Sequence, residues 1–105
     1  MERRNITVIF ERGGTEREIC ADCYDGLAVH PTLNATSNLC PGDWTVTHIA
    51  TKRAVYVHCP SQAVAVAAVM RMLPLGCDWT SRDVAQTPGL KRELKQIAKA
   101  LGIRW

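Results

Sequence analysis

The residues of this chain with the widest chemical repertoire are its cysteines and histidines. Cys20 and Cys23 stand in the order Cys-Ala-Asp-Cys, which is the spacing of a zinc knuckle. Zinc asks for four soft or imidazole ligands in a tetrahedron, so a second pair is required. His30, Cys40, His48, His58 and Cys59 are the candidates, yet none of them forms a second C-x2-C or H-x3-H unit. His48 and His58 are placed to face each other across a hairpin, which would supply two ligands from neighbouring strands. The plainer reading is a set of small buried thiols and polar strand histidines, and it predicts no metal and no cofactor. A redox role for Cys20 and Cys23 needs a βαβ setting, whereas here a hairpin comes before them.

His58 and Cys59 invite a reading as base and thiol nucleophile. Adjacent residues of a strand point to opposite faces, so these two cannot serve each other. Gly13-Gly14 lies between two strands with no helix behind it, which is not a phosphate-binding loop. Asp43, Asp78 and Asp83 fall in loops, where capping and turn formation are the usual tasks of aspartate. No catalytic residues are therefore assigned, and the chain is read as a non-enzyme.

The strongest signal is for binding. Lys91, Lys95 and Lys99 recur every four residues with Arg92 beside them, so on a helix they share one face. Such a face could release counterions from a nucleic-acid backbone or speed an encounter with an acidic protein. No aromatic residue interleaves with these lysines, so stacking on single-stranded bases is poorly supported. Lys52 and Arg53, a second pair of cations, join them as partner-binding candidates.

Regular elements must position those residues. The central stretch runs from Asp43 to Leu73: two strands, DWTVTHIA and RAVYVHCP, then the helix SQAVAVAAVMRML. In the first strand Trp44, Val46 and His48 alternate with Thr45, Thr47 and Ile49. In the second, Val55, Val57 and Cys59 alternate with Ala54, Tyr56 and His58, the period of two that marks strands. Thr51-Lys52-Arg53 joins them as a hairpin, Pro60 ends the ladder, and Ser61 is an N-cap. The helix is apolar nearly all round from Ala63 to Met70, so more than one side must be covered. That predicts a second helix, a partner, or a second copy of the chain packed against it, with a stop at Pro74 and Gly76.

Before this stretch, Asn5 to Phe10 and Glu16 to Cys20 read as a hairpin around Arg12-Gly13-Gly14-Thr15. Arg17 is awkward on a core face, which suggests an edge strand guarded by charge. Ala21 to Tyr24 is ambiguous. Asp25-Gly26 marks a turn, Leu27 to His30 a short strand stopped by Pro31, and Asn34 to Gly42 a loop. That loop contains Asn34-Ala35-Thr36, a glycosylation sequon in form only. After the apolar helix, Leu75 to Asp83 is irregular, with Trp79 plugging the end of the core. Thr87-Pro88 opens the last helix, where Leu90, Leu94, Ile97, Ala98 and Leu101 form an apolar stripe closed by Gly102. The expected fold class is α+β: an antiparallel sheet of four to five strands with two helices packed on one face.

At 105 residues the chain makes a single domain spanning 1–105. Its net charge of +3 is mild. The basicity is concentrated in residues 90–105, where Lys91, Arg92, Lys95, Lys99 and Arg104 face Glu93 alone. No apolar run is long enough to span a membrane, and MERRNITVIF is too short in apolar residues for a secretion signal. A cytoplasmic location with reduced thiols follows, and five cysteines suit a closed disulfide framework poorly.

The order Trp44-Thr-Val-Thr-His-Ile-Ala-Thr, then Ala54-Val55, then an alanine-rich helix, resembles small proteins carried by phages and mobile elements of Gram-negative bacteria. The resemblance covers roughly a third of the chain, and it departs from the commoner pattern at Lys52-Arg53, where a glycine turn is usual. Some proteins of this build are anti-CRISPR inhibitors that occupy a surface of a nucleoprotein effector complex. The resemblance thus implies a non-enzymatic protein-binding module that inhibits a bacterial defence complex. The rival readings are a nucleic-acid-binding protein using its basic last helix, and a zinc module.

Overall fold

The structure is a computed structural model and describes residues 1–9, 15–33 and 39–105. Its described strands form one antiparallel sheet in chain order: β1 (Glu2–Ile9), β2 (Glu16–Tyr24), β3 (Leu27–Leu33), β4 (Leu39–His48) and β5 (Arg53–Cys59). Two helices follow, α1 (Gln62–Met72) and α2 (Leu90–Leu101), with short 3-10 turns at Leu73–Leu75 and Val84–Gln86. This is the α+β architecture expected, and both helices contribute to one core with the sheet. α1 lies against β3, β4 and β5, and α2 packs against α1. No helix among the described residues is long and apolar enough to cross a membrane.

Each helix forms for a reason visible in its ends. Ser61 has an extended backbone, and its hydroxyl oxygen accepts a hydrogen bond from the amide of Val64 at 3.1 Å, satisfying one of the free donors of a first turn. Pro74 and a left-handed Gly76 end the segment. α2 stops at Gly102, whose φ of +72° is left-handed. The next amide, Ile103, reaches back to the carbonyl of Ala98 at 2.8 Å, a Schellman arrangement that glycine permits. The start of α2 differs from expectation. Thr87 and Pro88 lie outside it, and Gly89 takes the cap position in the left-handed conformation with no side-chain cap.

The larger core joins Leu27, Val29, Val46, Tyr56 and Cys59 of the sheet to Ala65, Ala68, Val69 and Met72 of α1 and Leu90, Leu94, Ile97 and Ala98 of α2. Trp79 plugs it as expected: the indole is buried and donates to the carbonyl of Met72 at 3.1 Å. A smaller cluster of Ile6, Val8, Ala21, Cys23 and Ala28 lies on the opposite sheet face. The sheet curls over it, bringing β1 towards β5. The Ile9 amide donates to the Lys52 carbonyl at 2.8 Å, and the Lys52 ammonium meets Glu16 at 2.9 Å.

Several boundaries differ from the sequence reading. β1 begins at Glu2, and β2 absorbs Ala21–Tyr24. The Gly13-Gly14 turn, Phe10 and the Asn34–Asn38 part of the expected loop, sequon included, lie outside the described residues. Leu39–Gly42, expected as loop, already belongs to β4. β3 runs through Pro31 to Leu33, with a register shift between those two residues. β2 sits between β1 and β3, but it pairs with β3 only over Asp22–Tyr24. Proline 31 has no amide to donate, so the ladder ends beside it.

The alternation expected along β5 fails. Trp44 pairs with Cys59, Val46 with Tyr56 and Thr47 with Ala54, so β5 spends an extra residue in each interval, and the first of these sets the Tyr56–Cys59 spacing. The bulge carries His58 at a left-handed φ of +60°. As a result Tyr56 and Cys59, three apart, are both buried towards the helices, as a bulge requires.

Candidate functional site

The last helix presents the expected two faces. Leu90, Leu94, Ile97 and Ala98 are buried, while Lys91, Arg92, Glu93, Lys95 and Lys99 are exposed. The packing that hides the leucine stripe is therefore what turns the lysines outward. The C-terminal position of Lys99 also suits the negative end of the helix dipole. Just beyond the Gly102 cap, Trp105 leaves 51% of its surface exposed. Its indole N–H donates to the carbonyl of Val55 at 2.8 Å, and its ring meets Tyr56 edge-on at 5.8 Å. Tyr56 in turn donates its hydroxyl to the carbonyl of Leu94, so hydrogen bonds and a ring contact tie β5, α2 and the indole together. Sequence reasoning passed over Trp105, because it lies past the Gly102 stop and so outside the helical stripe.

Lys52 and Arg53 do not join this face as a free pair of cations. Lys52 sits in the β4–β5 turn at a φ of +63° and is ion-paired with Glu16. Its ammonium closes the curled sheet, and Arg53 opens β5 nearby, opposite His48 in register.

The thiols and imidazoles are dispersed. Cys20 and Cys23 lie three apart on β2 and point to opposite faces, Cys20 exposed and Cys23 in the smaller core. That separates the knuckle pair as strand geometry dictates. His48 and His58 do not meet. The His48 ring is buried, with Nε2 donating to the Trp79 carbonyl at 2.7 Å and Nδ1 paired with the Thr51 hydroxyl at 2.8 Å. His30 donates from Nδ1 to the carbonyl of Pro31 at 2.8 Å and accepts from the Thr47 hydroxyl at Nε2, 2.7 Å away. Burial pulls its pKa below the usual imidazole value, which keeps the ring neutral.

His58 is the exception in exposure, with 67% of its side chain open, and its Nδ1 pairs with Asp43 Oδ2 at 2.7 Å. Asp43 is also reached by the Thr32 hydroxyl at 3.3 Å, and Thr32 by Thr45 at 2.7 Å. An imidazole oriented by a carboxylate has the posture of a general base. Its sequence neighbour Cys59 is no partner for it: that thiol is buried, and burial with the charge of Asp43 pushes it up to about 11. A protonated thiol at neutral pH is a weak nucleophile.

A second polar site was not anticipated. Where β2 parts from β3 beside Pro31, a cleft of about 190 Å³ opens, lined by Arg3, Cys20, Asp22, Val29, Pro31, Trp44 and Gln62. Asp22 was read within an ambiguous tetrapeptide, and only the register of β2 turns it towards the helix side. Comparison with known proteins finds no matching family model, no matching curated protein and no matching solved structure.

Proposed function

We propose that this protein is a non-catalytic binding module whose contact surface is the outer face of α2, and that its partner is an acidic surface of another protein. The observation that carries the reading is the row Lys91, Arg92, Lys95 and Lys99, all exposed on a helix whose reverse side is locked into the core. Cations so placed steer a negatively charged partner and hold it in register. Trp105 favours a protein partner over a phosphate backbone. A half-exposed indole fixed by a hydrogen bond supplies the rigid aromatic anchor that protein interfaces favour. Taken with the resemblance to phage and mobile-element proteins, the partner class we propose is a bacterial defence complex, inhibited by occupation of its surface.

The test is a triple charge reversal, Lys91→Glu, Lys95→Glu and Lys99→Glu. The variant is expected to keep the circular dichroism of the parent, because the three side chains are solvent-facing, and to lose no more than about 1 kcal/mol through the reversed charge at the C-terminal end of the helix dipole. Partners captured from host extract by the parent are then purified, and their affinity for the variant is expected to fall about a hundredfold or more. Unchanged affinity for such a partner overturns the assignment of this face. The nucleic-acid reading predicts instead a mobility shift with duplex whose midpoint moves steeply with salt.

A further inference from the structure

The cleft at the parting of β2 and β3 is independent of the α2 face, and its chemistry is more specific. Asp22 forms its floor and is 9% exposed. One carboxylate oxygen, Oδ2, accepts from the Gln62 amide at 3.3 Å, while Oδ1 is buried and accepts no hydrogen bond from the described residues. Leaving a buried carboxylate oxygen unpaired is costly, and the cost is removed by any donor that reaches it. Arg3 pairs with it by charge alone: its Nη1 stands 3.8 Å from Oδ1, an ion pair beyond hydrogen-bonding range, on a side chain 71% exposed. Its Nε leans on the Cys20 sulfur at 3.4 Å instead, which leaves the guanidinium at the rim of the cleft. Val29, Pro31 and the half-buried ring of Trp44 supply the apolar walls.

A deep acceptor, a cation at the rim and an apolar wall describe a ligand with three matching parts. We propose that this cleft binds a small zwitterion, an α-amino acid or a close ammonium carboxylate. Its ammonium donates to Asp22 Oδ1, its carboxylate meets Arg3, and its side chain lies along Trp44 and Pro31. Both polar contacts are charge-assisted and so among the stronger hydrogen bonds. The opposite charges of the site are 3.8 Å apart, a separation comparable to that between the two ends of one α-amino acid. The volume agrees, since a cavity of about 150 Å³ accommodates benzene and this one measures about 190 Å³.

The experiment titrates the ¹⁵N-labelled full chain with L-leucine, and separately with isopentylamine, which lacks the carboxylate, and 4-methylpentanoate, which lacks the ammonium. Saturable shifts are expected for leucine, centred on Cys20–Asp22, the Trp44 indole and the Gln62 side-chain amide. Each single-charge analogue is expected to bind at least about tenfold more weakly. Asp22→Asn and Arg3→Gln are each expected to cost about tenfold or more in leucine affinity. Arg3 is exposed, so its variant keeps the fold even where Asp22→Asn loosens it. Absence of saturation up to about 10 mM leucine, equal binding of isopentylamine and leucine, or full affinity in a folded Arg3→Gln protein would each overturn the assignment.

Discussion

Two residues show how single side chains decide this fold. Gly26 occupies the β2–β3 turn, yet the left-handed backbone there belongs to Asp25, at a φ of +53°. What glycine supplies is room: a Cβ at position 26 would stand 2.0 Å from the carbonyl oxygen of Trp79. The same carbonyl receives the His48 ring, so displacing it disturbs a buried hydrogen bond as well. Gly26→Ala is therefore expected to cost about 1–3 kcal/mol, read as a fall in the urea midpoint at constant m. His30 makes a prediction of its own. Its pKa is lowered by burial in the folded state, so below the unfolded value of about 6.5 the unfolded chain binds the extra proton. Stability is thus fully present above that pH and declines as pH falls through it. Urea midpoints compared at pH 7.5 and 5.5 are expected to drop for the parent and to drop less for His30→Asn.

The elements were legible in proportion to how local their causes are. The leucine stripe of α2, its glycine stop and the Ser61 cap depend on residues within two turns of each other, and the structure places all three as expected. Ser61→Ala is accordingly expected to lower stability by about 1 kcal/mol, measured by thermal or urea unfolding. The departures come from pairing between distant strands. Nothing near His58 announces the bulge that puts Tyr56 and Cys59 on one side, since it is the register with β4 that inserts the extra residue. Likewise Pro31 was read as the end of β3. In the structure β3 continues to Leu33, losing its pairing with β2 and shifting its register against β4. The proposed ligand cleft follows from that one missing amide, which is why no motif pointed to it. The basic row on α2 was visible in the spacing of its lysines, whereas Trp105 and Asp22 acquire their settings only through β5 and β2.

At the scale of the whole molecule, the apolar α1 finds its cover within the chain. Ala65, Ala68, Val69 and Met72 are buried, and the sheet and α2 both pack against the helix. A second copy of the chain, if it docks here, has the exposed Ala63 and Met70 and the half-buried Val64, Val66 and Ala67 to hold. The opposite sheet face depends on curvature for its burial. Among the described residues, the backbone link between β1 and β5 is the amide of Ile9 on the carbonyl of Lys52, backed by the exposed Lys52–Glu16 pair. An exposed ion pair adds little, so this seam is the place where the molecule can breathe without disturbing its helices. Opening it would wet Ile6 and Val8 while leaving Val46 and Tyr56 dry. In native-state hydrogen exchange the Ile9 amide is expected to trade its proton well before those of β4, and adding salt should hasten it by loosening the lysine's grip.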